Sequence, residues 1–150
     1  MRNEKKLVIL IADDDEDDRL MTKEAFEELQ LLNELVFVKD GVELLEYLRH
    51  QGAYVDVESC PRPGLILLDL NMPRMDGREA LKEIKKDDDL KSIPVSIFST
   101  SKAEEDVIRS YNLGVNCFVT KPVTYKALLK VISQLSSFWF ELVSLPAHKI

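Results

Sequence analysis

The 150-residue sequence predicts an α/β fold, a doubly wound parallel sheet with helices on both faces. Three observations lead there. Short, uninterrupted apolar runs such as Leu7 to Ala12 and Leu65 to Leu68 have the composition of strands buried on both sides. Five such runs alternate strictly with stretches that carry apolar residues at helical spacing. Residues with chemistry to offer (Asp13, Asp14, Asp69, Ser99 and Lys121) stand just after these runs, at the strand ends where parallel sheets place their sites.

Taken in order, Leu7 to Ala12 is the first strand. Six acids follow in a row, Asp13 to Asp18. Asp15 is placed to cap the first helix, with Glu16, Asp17 and Asp18 in its first turn, where the helix dipole favours negative charge. Met21, Ala25, Leu29 and Leu32 form that helix's apolar stripe. Leu35 to Val38 is the second strand, and Val42, Leu45 and Leu48 mark the second helix. Residues 52 to 64, with Pro61, Pro63 and Gly64, are the longest loop. Leu65 to Asp69 is the third strand and Gly77 to Lys86 the third helix, closed by a solvated Asp87-Asp88-Asp89 run. Pro94 to Phe98, Ala103 to Asn112 (ended by Gly114), and Val115 to Val119 are the fourth strand, fourth helix and fifth strand. Tyr125 to Leu145 is a long final helix stopped by Pro146.

The length fits one domain, 1–150, with a core over about 7–135 and a helical extension over 136–150. Hydrophobic residues at 45% and charged residues at 31% mark a folded chain. A net charge of −7 argues against nucleic acid or an anionic membrane as partner. No run reaches the roughly 18–20 apolar residues of a membrane span. Cys60 and Cys117 lack the spacing of a disulfide framework or zinc site, so both are expected as reduced thiols of a cytoplasmic protein, with Cys117 in the core. His50 and His148 have no partner at useful spacing and are given no role.

The strand ends carry the function. Asp13, Asp14 and Asp69 converge if the sheet is right, and carboxylates forced together repel. A hard dication resolves this, and Mg²⁺ takes oxygen ligands from only one or two protein carboxylates. Lys121 then sits where an anion would arrive, with the Ser99 hydroxyl as a second donor. A metal, a carboxylate nucleophile, a cation and a hydroxyl together describe phosphoryl transfer onto Asp.

Asp13-Asp14, Leu67-Leu-Asp69-Leu-Asn-Met-Pro73 with Asp76-Gly77, Ser99-Thr100 and Lys121-Pro122 together resemble the receiver domain of two-component response regulators, over about residues 7 to 135. The resemblance implies a flavodoxin-like (βα)5 sheet of strand order 2-1-3-4-5. It makes Asp69 the phosphoacceptor, Asp14 a direct Mg²⁺ ligand, Asp13 a ligand largely through water, and Asn71 a ligand through its backbone carbonyl. Ser99 becomes the switch hydroxyl, Lys121 the phosphoryl-pairing lysine, and Phe118 the aromatic switch. It also implies a cis bond before Pro122. The implied phosphodonor is a sensor histidine kinase. The signalling surface is the face of the fourth helix, fifth strand and fifth helix, and the output is contact with a downstream protein target, since no output module follows residue 135. A phosphorelay intermediate without its own target is the alternative.

The ending and the 52 to 64 loop resemble stand-alone receivers paired with phytochrome-type histidine kinases. The surplus apolar residues Phe138, Trp139 and Leu142 are therefore expected at a homodimer interface. Three rivals fare worse. A haloacid-dehalogenase-type phosphatase needs a second Asp where Asn71 stands. A flavodoxin-like cofactor binder needs a Gly, Ser or Thr phosphate loop where the six acids stand. A degenerate receiver would lack part of the set Asp13, Asp14, Asp69, Ser99 and Lys121, which is intact.

Overall fold

A computed structural model describes residues 7–100 and 104–138. In chain order these form β1 (Ile9–Ala12), α1 (Glu16–Glu28), β2 (Leu35–Val38), α2 (Gly41–Arg49), β3 (Leu65–Leu68), α3 (Gly77–Lys86), β4 (Val95–Ser99), α4 (Glu104–Asn112), β5 (Cys117–Thr120) and α5 (Tyr125–Ser136). The strands make one parallel sheet of order β2-β1-β3-β4-β5. This is the order the sequence resemblance implies.

Strand periodicity explains why the apolar runs are uninterrupted. Successive side chains point to opposite faces, so a strand covered on both sides is apolar throughout. Ile9 and Ile11 pack with Leu65, Leu67 and Phe98 against Ala25 and Phe26 of α1 and Leu128 and Ile132 of α5. Leu10, Ala12, Ile66, Leu68 and Ile97 face the other way, onto Leu44 and Leu48 of α2 and Ala80, Leu81 and Ile84 of α3. Burying each large aliphatic side chain contributes about 1.5–3 kcal/mol, so the two-sided sheet dominates the stability of the domain.

Local signals set the helix ends. Asp15 caps α1, accepting from the backbone N–H of Asp17 and Asp18. Asp40, Asp76 and Thr124 cap α2, α3 and α5 in the same way. The expected stripe of α1 holds for Met21, Ala25 and Leu29 but not for Leu32, which is 77% exposed. The helix ends at Glu28, and Gln30 turns into the left-handed region at φ 57°, so Leu32 lies beyond it. Phe26 and Thr22 complete the buried face instead.

The 52–64 segment holds one 3-10 turn, Gly52–Tyr54, and is otherwise loop. The Tyr47 hydroxyl donates to the Pro61 carbonyl at 2.7 Å, and His50 Nε2 to the Cys60 carbonyl at 3.0 Å. The loop thus gives His50 a structural partner, and a cavity of about 380 Å³ remains beneath it against Leu90 and Ile93. Burial pushes the Tyr54 phenol up to about 12. Both cysteines are free thiols, but Cys60 is the buried one and Cys117 is only half-buried on edge strand β5. The last helix runs as α5 to Ser136 and continues as a π turn to Phe138, the last described residue, which is 50% exposed. Trp139 and Leu142, and the rest of the helix expected to Leu145, lie outside the described residues. No described helix is long and apolar enough to cross a membrane.

Candidate functional site

The sheet register brings the predicted residues together. Asp13 follows β1 and Asp69 follows β3, two adjacent central strands paired Ala12 to Leu68. The Asp69 N–H donates to the Ala12 carbonyl and the Asp13 N–H to the Val38 carbonyl, so the ladder fixes both backbones past the strand ends. Ser99 closes β4, and its carbonyl accepts from the Lys121 N–H at 2.8 Å.

The side chains converge on one ammonium. Lys121 Nζ donates to Asp13 Oδ2 at 2.6 Å, Asp69 Oδ2 at 2.8 Å and Asp18 Oδ2 at 3.0 Å. The other Asp69 oxygen, Oδ1, accepts from the Ser99 hydroxyl at 3.0 Å and from the Asn71 N–H at 3.2 Å. Asp13 Oδ1 accepts from the Asp15 N–H. The side chains of Asp13, Asp69 and Lys121 are 5%, 7% and 7% exposed, so this is a nearly dry cluster. Asp14 is exposed at its mouth.

Electrostatics follow from burial. Desolvation pushes the Asp13 carboxyl above its ordinary range, and the neighbouring Asp69 charge adds to this; Lys121 and the Asp15 N–H oppose it. Burial alone would lower the Lys121 pKa, but its hydrogen bonds to Asp13 and Asp69 outweigh that and hold it above the usual lysine value. The lysine is therefore an ammonium at any physiological pH.

Asp13, Asp14 and Asp69 each present an oxygen within 4.8 Å of the other two. The donors are hard carboxylate oxygens, which fit Mg²⁺ or Mn²⁺ rather than a thiophilic ion. Phe118 is half-buried against the cluster of β1, β3 and β4 side chains that faces α2 and α3. Among the described residues no peptide bond is cis, so the bond before Pro122 is trans and corrects that expectation. Lys121 reaches the carboxylates through its long side chain with the trans bond in place.

The loop after β3 is held from three sides. The Gly77 N–H donates to the Leu70 carbonyl, and a Cβ on Gly77 would lie 2.1 Å from the Asp69 carbonyl oxygen, so the close approach admits only glycine. Arg74 Nε donates to Asp40 Oδ2 at 2.8 Å, tying the loop to the cap of α2. Arg78 grips Asp106 of α4 with two bonds, at 2.9 and 2.7 Å, and contacts the Leu70 carbonyl. Sequence reasoning missed these arginines, and it missed Asp18 as a partner of Lys121. A signal for Asp18 existed: Cα–Cβ bonds tilt toward a helix's N-terminus, so first-turn side chains lean toward the strand end that precedes them.

Comparison with known proteins agrees with this fold. The model of the response regulator receiver domain family matches residues 9–133. The chain is 46% identical over 145 residues to the response regulator Rcp1 of Synechocystis sp., covering 97% of this chain and 96% of that protein. The crystal structure of the phosphorylated cyanobacterial phytochrome response regulator RcpA superposes with a TM-score of 0.87 at 41% identity, covering 95% of this chain and 99% of that one. The Mn²⁺-bound form of Rcp1 superposes with a TM-score of 0.84 at 46% identity, covering 94% and 99%. With five parallel strands in the order found here and acids, hydroxyl and lysine at their ends, the chain belongs to the response regulator receiver domain family and is related to the phytochrome response regulators.

Proposed function

We propose that this chain is a single receiver domain that accepts a phosphoryl group from a histidine kinase onto Asp69, in a reaction that requires Mg²⁺. The observation that carries this reading is the paired engagement of the Asp69 carboxylate. One oxygen is held by Lys121 and the other by Ser99, beside the acids Asp13 and Asp14. That array leaves a nucleophile with cationic and hydrogen-bonding groups already in place for the charge of a phosphoryl group.

In the proposed step an Asp69 carboxylate oxygen attacks phosphorus. The P–N bond of the donor phosphohistidine breaks, its electron pair stays on the imidazole, and an aspartyl phosphate forms. Asp13, Asp14, Asp69 and the Asn71 carbonyl would hold the dication, which when bound neutralises charge on the acceptor and the transferred oxygens. Lys121 and Ser99 then exchange their carboxylate contacts for phosphoryl oxygens. No protein base is needed, because the imidazole is the leaving group. Hydrolysis of the acyl phosphate by water resets the domain.

The signal would leave through α4, β5 and α5. Ser99 ends β4 and Phe118 lies on the paired strand, with Ile97 opposite Phe118, so a change at the hydroxyl is one strand away from the aromatic ring. Phe138, Trp139 and Leu142 are proposed to supply a homodimer interface, and the relatives' names favour a phytochrome-type kinase as donor in the cytoplasm. A downstream protein target completes the reading.

The test uses acetyl phosphate as donor. With Mg²⁺ the chain should gain one acid-labile phosphoryl group, and chelation of the metal or Asp69→Asn should abolish the gain. Undiminished labelling of Asp69→Asn would overturn the assignment.

A further inference from the structure

An ammonium has three protons to donate, and at Lys121 three carboxylate oxygens receive them, from Asp13, Asp69 and Asp18. Under the reading proposed above, two of these partners have a second claimant. A dication takes oxygens of Asp13 and Asp69, and phosphoryl transfer consumes an oxygen of Asp69. Asp18 stands outside the Asp13, Asp14 and Asp69 group, so neither ligand displaces it. Its backbone is fixed in the first turn of α1, where its N–H donates to the Asp15 cap and its carbonyl accepts from the Thr22 hydroxyl. Its side chain is 30% exposed, so it keeps part of its hydration while holding a lysine that is almost fully enclosed.

A dication entering beside Asp13 and Asp69 puts a second cation onto anions that Lys121 already neutralises. Lys121 and the ion then compete for Asp13 unless the ammonium has another anion to move toward. We infer that Asp18 is a positioning residue that draws the Lys121 ammonium off Asp13 as the dication binds and keeps it beside Asp69 for the incoming phosphoryl oxygens. This rests on the reading of the site as a Mg²⁺-dependent phosphoacceptor. Asp18 thereby strengthens metal binding through Lys121, beyond the pull of one more negative charge.

Calorimetric titration of the unphosphorylated chain with Mg²⁺ separates the two effects, with thermal unfolding of each variant establishing that it is folded. Asp18→Asn should raise the Mg²⁺ Kd roughly five- to tenfold. Asp17→Asn removes the same charge from an exposed neighbour and should raise it only about twofold, a screened long-range effect. Asp18→Glu should restore most of the affinity. In a Lys121→Gln background, Asp18→Asn should do no more than Asp17→Asn. Equal effects of Asp18→Asn and Asp17→Asn in the native background would overturn the inference, as would a full Asp18→Asn effect persisting without Lys121. A native chain that does not bind Mg²⁺ would overturn the reading of the site itself.

Discussion

Lys121 has two opposed jobs at the scale of single residues. It neutralises Asp13 and Asp69, and it occupies the space beside the three carboxylates proposed to hold the dication. Removing one partner of a buried ion pair costs about 3–5 kcal/mol because the other charge is stranded. Lys121→Met should therefore lower stability by about 3 kcal/mol without divalent ions and recover much of it when Mg²⁺ is added, as urea midpoints with and without Mg²⁺ would show. A loss that Mg²⁺ leaves untouched would mean the carboxylates do not share a metal. Ser99 acts more gently. Ser99→Ala removes one bond from Asp69, and phosphorylation by acetyl phosphate should slow about tenfold while Mg²⁺ affinity stays unchanged.

The loop from Asp69 to Asp76 is shaped at the scale of elements by what surrounds it. Gly77 admits the Asp69 carbonyl, so Gly77→Ala should cost about 1–3 kcal/mol of stability through overpacking against backbone. Asp40 has a different signature. Burial alone would raise its pKa, but the hydrogen bonds from Arg74 and the Glu43 N–H outweigh it and hold the carboxyl below its ordinary value. A carboxyl whose folded pKa is depressed adds stability above its unfolded pKa and loses it as the pH falls through the folded value. The stability gap between the native chain and Arg74→Ala should accordingly shrink as the pH drops below about 4. A gap that stays constant in urea titrations from pH 7 to pH 3 would contradict this role.

The domain works at the scale of the whole molecule because five strand ends meet the same edge, and this much was legible in the sequence. The apolar runs could be read because strands covered on both faces have no polar side to blur them. The convergence of Asp13, Asp14, Asp69, Ser99 and Lys121 could be read because each stands at or within two residues of the end of such a run. What escaped was three-dimensional. Asp18 reads as a dipole-favoured residue of a helix start, and sequence reasoning overlooked the lean of first-turn side chains toward the preceding strand end, which brings it to Lys121. Arg74 and Arg78 had no sequence signal, because their partners, Asp40 and Asp106, lie 34 and 28 residues away. The end of α1 was overrun because Leu32 kept the helical spacing after Gln30 had already turned the chain.

Association belongs to this scale too. Phe138→Lys with Trp139→Lys should lower the solution mass of the chain in light scattering from dimer to monomer, and an unchanged mass would remove these residues from the proposed interface.

Chemical trapping of the phosphorylated residue is the most direct measurement. Acetyl phosphate and Mg²⁺ load the chain, borohydride reduces an aspartyl phosphate to homoserine, and peptide mass spectrometry locates the change. The expected result is homoserine at position 69 and nowhere else. Homoserine at position 13, 14 or 18, or a phosphoryl group that borohydride does not reduce, would contradict the assignment of Asp69 as the acceptor.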